Sequence, residues 1–224
     1  MSEKNTNKYA IVDLEATSAS SMASIIQVGI VIMQNGQVID EFASDVNPHQ
    51  KLDDHIIHLT GITDQQLAQA PDFSEIARKI FDLIEDCIFV AHNVKFDANL
   101  LSEALFMEGY ELRTPRVDTV ELAQVFYPTL EHYKLSHLSK VLNLDLAQAH
   151  TAIEDARATG QLLFHLMDKI ASLPRQTIDL LLTFSDNLLF ESELVIRDAI
   201  RGQKHELAKE YIMLEESGIV LRKP

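Results

Sequence analysis

The chain has 224 residues, 46% of them hydrophobic and 24% charged, with a net charge of −15 and one cysteine. That length suits one good-sized domain with some additional helix, and near-half apolar content excludes a disordered chain. The single Cys87 excludes an internal disulfide or a cysteine zinc cluster, and the acidity argues against a protein that grips long duplex through its phosphates. Residues 1–8 are polar and no apolar run is long enough for a bilayer, so a cytoplasmic protein without membrane contact is expected.

The elements follow in chain order. Residues 9–14 (YAIVDL) read as a buried strand, and residues 25–33 (IIQVGIVIM) as a second. Asn35-Gly36 is a hairpin signal, so residues 37–46 form a third strand and complete an antiparallel meander. Residues 60–70 are loop and short helix. Residues 73–85 are amphipathic, with Phe73, Ile76, Ala77, Ile80, Phe81 and Ile84 on one face. A strand over 87–91 runs into a helix over 94–108 that ends at Gly109, then come a brief strand at 116–118 and helices over 119–126, 135–142 and 152–171. Three strands followed by alternating helix and strand predict an α/β fold with a mixed central sheet. Residues 175–224 are helical and charged without a strand signal. We divide the chain into a domain over 1–173 and a helical appendage or linker over 174–224.

Three stretches carry chemistry. Asp13 and Glu15 stand two apart at a strand end, so both project from one face, where two like charges repel unless a cation lies between them. His92-Asn93 lies at a strand-to-helix junction, with Asn93 as N-cap and Asp97 in the first helical turn. His150 precedes the helix over 152–171, where Thr151 and Glu154 have capping-box spacing and Asp155 falls in the first turn. Four carboxylates at a strand end and two helix starts can meet at one edge of a sheet, as paired metal ions require. A histidine beside them can take a proton from water.

The ordered set Asp13-x-Glu15, His92-Asn93-x-x-Phe96-Asp97 and His150-x-x-x-x-Asp155 resembles the DEDDh (DnaQ-like) 3′→5′ exonuclease family over roughly residues 8–170. Residues 60–63 (TGIT) and 133–138 (YKLSHL) are similar to habitual stretches of the same family. The resemblance implies a ribonuclease H-like fold, a mixed five-strand sheet flanked by helices. It also implies two Mg²⁺ or Mn²⁺ ions held by Asp13, Glu15, Asp97 and Asp155, with His150 as general base. The expected reaction releases 5′-mononucleotides from a nucleic-acid 3′ end, with single-stranded DNA favoured. RNA trimming is the alternative within the family, and a non-catalytic nucleic-acid-binding module is the alternative outside it; the latter predicts a missing carboxylate or histidine, and none is missing. Ala16, Thr17, Thr60, Gly61, His92, Asn93 and Phe96 are expected around the terminal nucleotide, with Phe96 stacked on its base. Where many relatives read Asp-x-Glu-Thr-Thr-Gly, this chain reads Asp13-Leu14-Glu15-Ala16-Thr17-Ser18. The change removes a glycine suited to close ligand approach and leaves the five metal and base residues intact. Residues 184–224 resemble the stretch after the exonuclease domain in DinG-type proteins, which carry a helicase-like motor further on. The chain holds no phosphate-binding Gly-x-x-x-x-Gly-Lys-Ser/Thr loop of its own, so a longer native protein is expected.

Overall fold

A computed structural model describes residues 7–18, 23–144 and 151–201. Strands β1 (Tyr9–Ala16), β2 (Ile25–Gln34) and β3 (Gln37–Asp45) form the meander, and Asn35 and Gly36 turn between β2 and β3 with φ of 54° and 76°. Both central residues with φ > 0 are what a two-residue hairpin of this hand requires. Helices α1 (Asp54–Thr60), α2 (Asp64–Leu67) and α3 (Phe73–Ile84) follow; α1 was not anticipated from the sequence. Then come β4 (Ile88–Ala91), α4 (Val94–Met107), β5 (Arg116–Asp118), α5 (Thr119–Phe126), α6 (Leu135–Val141), α7 (Ala152–Ala171) and α8 (Arg175–Phe184).

The five-stranded sheet has the order β3-β2-β1-β4-β5. β1, β2 and β3 run antiparallel, whereas β4 and β5 lie parallel to β1. Alternation along the strands sorts side chains to two faces. Tyr9 and Ile11 of β1, Val31 and Met33 of β2 and Val90 of β4 pack with Leu162, Leu163 and Leu166 of α7. Ala10, Val12 and Leu14 go to the opposite face, with Ile80 and Ile84 of α3 and Leu101 and Leu105 of α4. Asp13 and Glu15 therefore share the α7 face.

The segment expected as an appendage is packed differently. Ile178, Val195, Ile196, Ala199 and Ile200 are buried in the same core as Tyr9, Val117 and Leu166. Glu191 bonds the free edge of β5 through both backbone groups of Arg116, at 2.8 and 2.9 Å. Glu121 of α5 accepts from Leu189 N and Ser192 Oγ, each at 2.6 Å. Up to residue 200 the chain thus completes the sheet's α7 face instead of leaving it after Pro174. Residues 202–224 lie outside the described residues.

Candidate active site

The site starts from the sheet. The last pair between β1 and β4 is Ile11 with Val90, and β4 ends one residue later at Ala91, short of Asp13 and Leu14 on β1. The Leu14 N–H therefore has no strand to bond, and the Asp97 carboxylate of α4 accepts it at 3.0 Å. On the other side of β1 the pairing with β2 slips between Glu15 and Ala16: Glu15 faces Gln27 and Ala16 faces Ile25. The skipped residue, Ile26, turns to a separate small core of Leu52, Ile56, Ile62 and Leu67. Such bulges bend a strand and re-aim its side chains. Here the bulge ends the regular strand beside its two acidic residues.

The third contribution comes from α7. Asp13 is paired in register with Gly29 of β2, and a Cβ on Gly29 would lie 2.2 Å from the Ala152 backbone. The missing side chain is what lets the first turn of α7 settle on β2. Asp155 is thereby delivered to Asp13 and Glu15, and ligand oxygens of the three lie within 4.8 Å of one another. All three are half-buried. Asp97 stands behind this group, 5% exposed and tied to Leu14.

The electrostatics follow from the crowding. Burial pushes the Asp13 carboxyl well above its ordinary range, and Asp97, Asp155 and Glu15 push it further. Burial likewise raises Asp97, to about 8, with Glu15 and Asp118 adding to the shift while the Leu14 N–H opposes it. Without a cation, these groups share too much negative charge to ionise together. The donor set is all carboxylate oxygen, the chemistry that suits hard divalent cations and not soft ones.

The other expected site residues divide. His150 lies outside the described residues. His92 does not reach toward a ligand: its Nε2 donates to Tyr133 O at 2.7 Å and its Nδ1 is 2.9 Å from the Thr119 hydroxyl. Burial lowers its pKa, against the Tyr133 bond and the charge of Asp118, and the neutral ring ties the β4–α4 junction to the segment before α6. Both ring nitrogens of His92 are thus engaged within the protein. Asn93 occupies the N-cap position of α4 with φ of 77°, but its side chain makes no cap bond; its N–H donates to Asp118 Oδ1 at 3.0 Å. Asp118 also accepts from Val120 N as the N-cap of α5. Phe96 is half-buried and belongs to none of the three apolar cores. The Thr17 N–H donates to Ser24 O at 2.9 Å and its hydroxyl accepts from Ser24 N at 3.0 Å, and Ala16 beside it is 8% exposed. The Thr60 hydroxyl donates to Ile56 O and accepts from Ile62 N, and Gly61 is the exposed C-cap of α1.

The expected capping box on α7 is absent. Thr151 is the N-cap but makes no side-chain cap bond, and Glu154 pairs with Arg157. The Ala152 N–H is instead accepted by Gln27 Oε1 at 2.8 Å, from the neighbouring strand. Gln27 and Gly29 were missed. Their signal was present: a polar amide and a glycine, two apart, on the face of an otherwise apolar strand that also carries Val31 and Met33.

The exonuclease family profile, RNase_T, matches residues 10–163. The 3′-5′ exonuclease DinG of Staphylococcus aureus strain USA300 is 36% identical over 218 residues, covering 96% of this chain and 24% of that protein. The same protein from strain MRSA252 matches equally. The chain therefore spans about a quarter of the length of these relatives. Among solved structures, exonuclease I superposes with a TM-score of 0.66 at 18% identity, covering 80% of this chain and 44% of that one. The nuclease domain of 3′hExo, a DEDDh family member bound to rAMP, gives 0.63 at 18% identity, over 74% and 94%. Exonuclease X in complex with 5′ overhanging duplex DNA gives 0.58 at 21% identity, over 71% and 91%. These likenesses establish the ribonuclease H-like fold, and with the family match over most of the domain, the chain belongs to the exonuclease family, whose hydrolytic members depend on divalent metal.

Proposed function

We propose that the chain removes nucleotides from the 3′ end of nucleic acid, single-stranded DNA in preference, and releases 5′-mononucleotides. The observation that supports this most is the meeting of Asp13, Glu15 and Asp155 within 4.8 Å, with Asp97 buried behind them. Asp13, Glu15 and Asp155, with Asp97 nearby, would hold two Mg²⁺ or Mn²⁺ ions. Bound there, these would neutralise the crowded carboxylates, lower the pKa of water and offset charge on the phosphate in the transition state.

The protein's own groups divide the remaining work. Asp97, fixed by Leu14, and Asp155, fixed by the first turn of α7, set the positions of their carboxylates before substrate arrives. His150, next in sequence to Thr151, takes a proton from the attacking water. The water oxygen bonds to phosphorus, the P–O3′ bond breaks, and the shortened strand keeps a 3′ hydroxyl after gaining a proton. Phe96 lies against the terminal base, and the backbone of Ala16, Thr17 and Gly61 borders the terminal nucleotide, with Thr60 holding the turn and Asn93 at the rim. A net charge of −15 suits a strand end better than a long duplex. The 36% identity to DinG proteins over nearly the whole chain supports a place beside a helicase-like region in a longer cytoplasmic protein.

The test is hydrolysis of 5′-labelled single-stranded DNA and RNA of one sequence, with Mg²⁺, with Mn²⁺ and with chelator, beside Asp13→Ala and His150→Ala. A metal-dependent ladder that shortens from the 3′ end, absent in both variants and faster on DNA, is expected. Faster shortening of RNA would replace the DNA preference with RNA trimming. No cleavage of either strand with either metal would overturn the enzymatic reading.

A further inference from the structure

The start of α7 carries Asp155 and follows His150, yet no side chain of its own caps it. Its first N–H is held from β2 by Gln27 Oε1 at 2.8 Å. An amide can present either its oxygen or its NH₂ to a neighbour, so something must fix which way Gln27 faces. Asp45 of β3 does this. Gln27 is in register with Asp45, and its Nε2 donates to Asp45 Oδ1 at 2.7 Å. The other oxygen, Oδ2, accepts Gln66 Nε2 at 2.7 Å. A carboxylate only accepts, so the Gln27 NH₂ stays on Asp45 and its oxygen stays on α7. Gln27 is also paired with Glu15 across β1. One side chain thus links the level of Glu15 to the turn that bears Asp155.

We propose that Gln27, oriented by Asp45, is a positioning residue for the metal site: it sets the depth of the first turn of α7, and so the reach of Asp155 toward Asp13 and Glu15. This rests on the exonuclease reading of the same site. Gln27 touches neither substrate nor metal. Its loss weakens metal binding and turnover while leaving nucleic-acid affinity in place, because the groups that border the nucleotide lie on β1, α1 and α4.

The experiment compares wild type, Gln27→Met, Asp45→Asn and the double variant Gln27→Glu, Asp45→Asn. Mn²⁺ binding is followed by electron paramagnetic resonance without substrate, and kcat and KM are measured on a single-stranded oligonucleotide. Gln27→Met, close in shape but without an acceptor, is expected to lower kcat and weaken Mn²⁺ binding by about 10- to 100-fold. Its KM should stay within about twofold of wild type. Gln27→Glu combined with Asp45→Asn keeps an oxygen for Ala152, faces the new carboxylate with an amide donor in place of the Asp45 carboxylate, and leaves the net charge unchanged; it should recover most of both losses, which a merely space-filling role would not allow. Asp45→Asn lets the Gln27 amide turn over and should reproduce the kcat loss at unchanged KM; it decides the matter if Gln27→Met does not fold. Wild-type Mn²⁺ binding and kcat in Gln27→Met, or equal impairment in Gln27→Met and the Gln27→Glu, Asp45→Asn double variant, would overturn the proposal. A wild-type protein that binds Mn²⁺ but shortens no strand would sink the exonuclease reading alone, since the Mn²⁺ comparison still tests Gln27.

Discussion

Gly29→Ala probes how closely the site depends on the seating of α7. The added Cβ would lie 2.2 Å from Ala152 C, 2.3 Å from Ala152 O and 2.4 Å from Ile153 N. Unstrained carbon contacts lie near 3.5 Å, so the first turn of α7 must withdraw by about 1 Å or more. All three clashing atoms are backbone, so no side-chain rotation in α7 can absorb the methyl. Overpacking of this kind costs about 1–3 kcal/mol, which lowers Tm by roughly 2–12 °C in a chain of this size. The functional effect should be larger, because Asp155 moves with the turn while Asp13 stays in the sheet. A displacement near 1 Å at a reacting centre costs on the order of 100-fold in rate. The assay is initial-rate hydrolysis of a 5′-labelled oligonucleotide across a Mn²⁺ titration, with a thermal melt of the same preparation. A folded Gly29→Ala protein with wild-type rate and wild-type Mn²⁺ dependence would refute the reasoning, since it would mean that Asp155 need not be held at this depth.

Three further outcomes are expected. Asp13→Asn should abolish hydrolysis yet raise the Tm of the cation-free protein at pH 8, because it removes one charge from the crowded carboxylates; relief of about 1–2 kcal/mol corresponds to roughly 2–8 °C. The wild type should lose cation-free stability as pH rises: a carboxyl with an unfolded pKa of about 4, raised in the fold, binds its extra proton only in the folded state across that window. For Asp97, raised to about 8, the stabilisation is full below pH ~4 and is lost through pH ~8, at no more than ~1.4 kcal/mol per pH unit; a cation-free Tm that rises over this range refutes the assignment. Truncation after Leu173 removes Ile178, Val195, Ile196 and Ile200 from the core, and at about 1.5–3 kcal/mol each this approaches the whole stability of a domain. The shortened protein should melt far below the full chain or aggregate, and an unchanged Tm would show that the segment packs independently.

Some of this was legible in the sequence because it is local. The short apolar runs in residues 9–14 and 25–33 and the Asn35-Gly36 turn depend only on near neighbours, and so does the shared face of Asp13 and Glu15. The starts of α4 and α7, which place Asp97 and Asp155 in first turns, were likewise visible, α4 where the 87–91 strand gives way to helix at Asn93 and α7 from the spacing of Thr151 and Glu154. The tertiary structure decided what depends on contacts between distant residues. It set Asp97 apart on a backbone N–H left over where β4 ends, and left Asp155 to join Asp13 and Glu15. It gave the cap of α7 to Gln27, 125 positions away, although Thr151 and Glu154 had the spacing for it. It turned His92 inward to Tyr133, and it drew residues 178–200 onto a sheet face that no local pattern showed to be uncovered. The physical reason is common to these cases: a buried donor or an open apolar face takes whichever partner the fold brings near, and sequence spacing constrains only partners within a few residues.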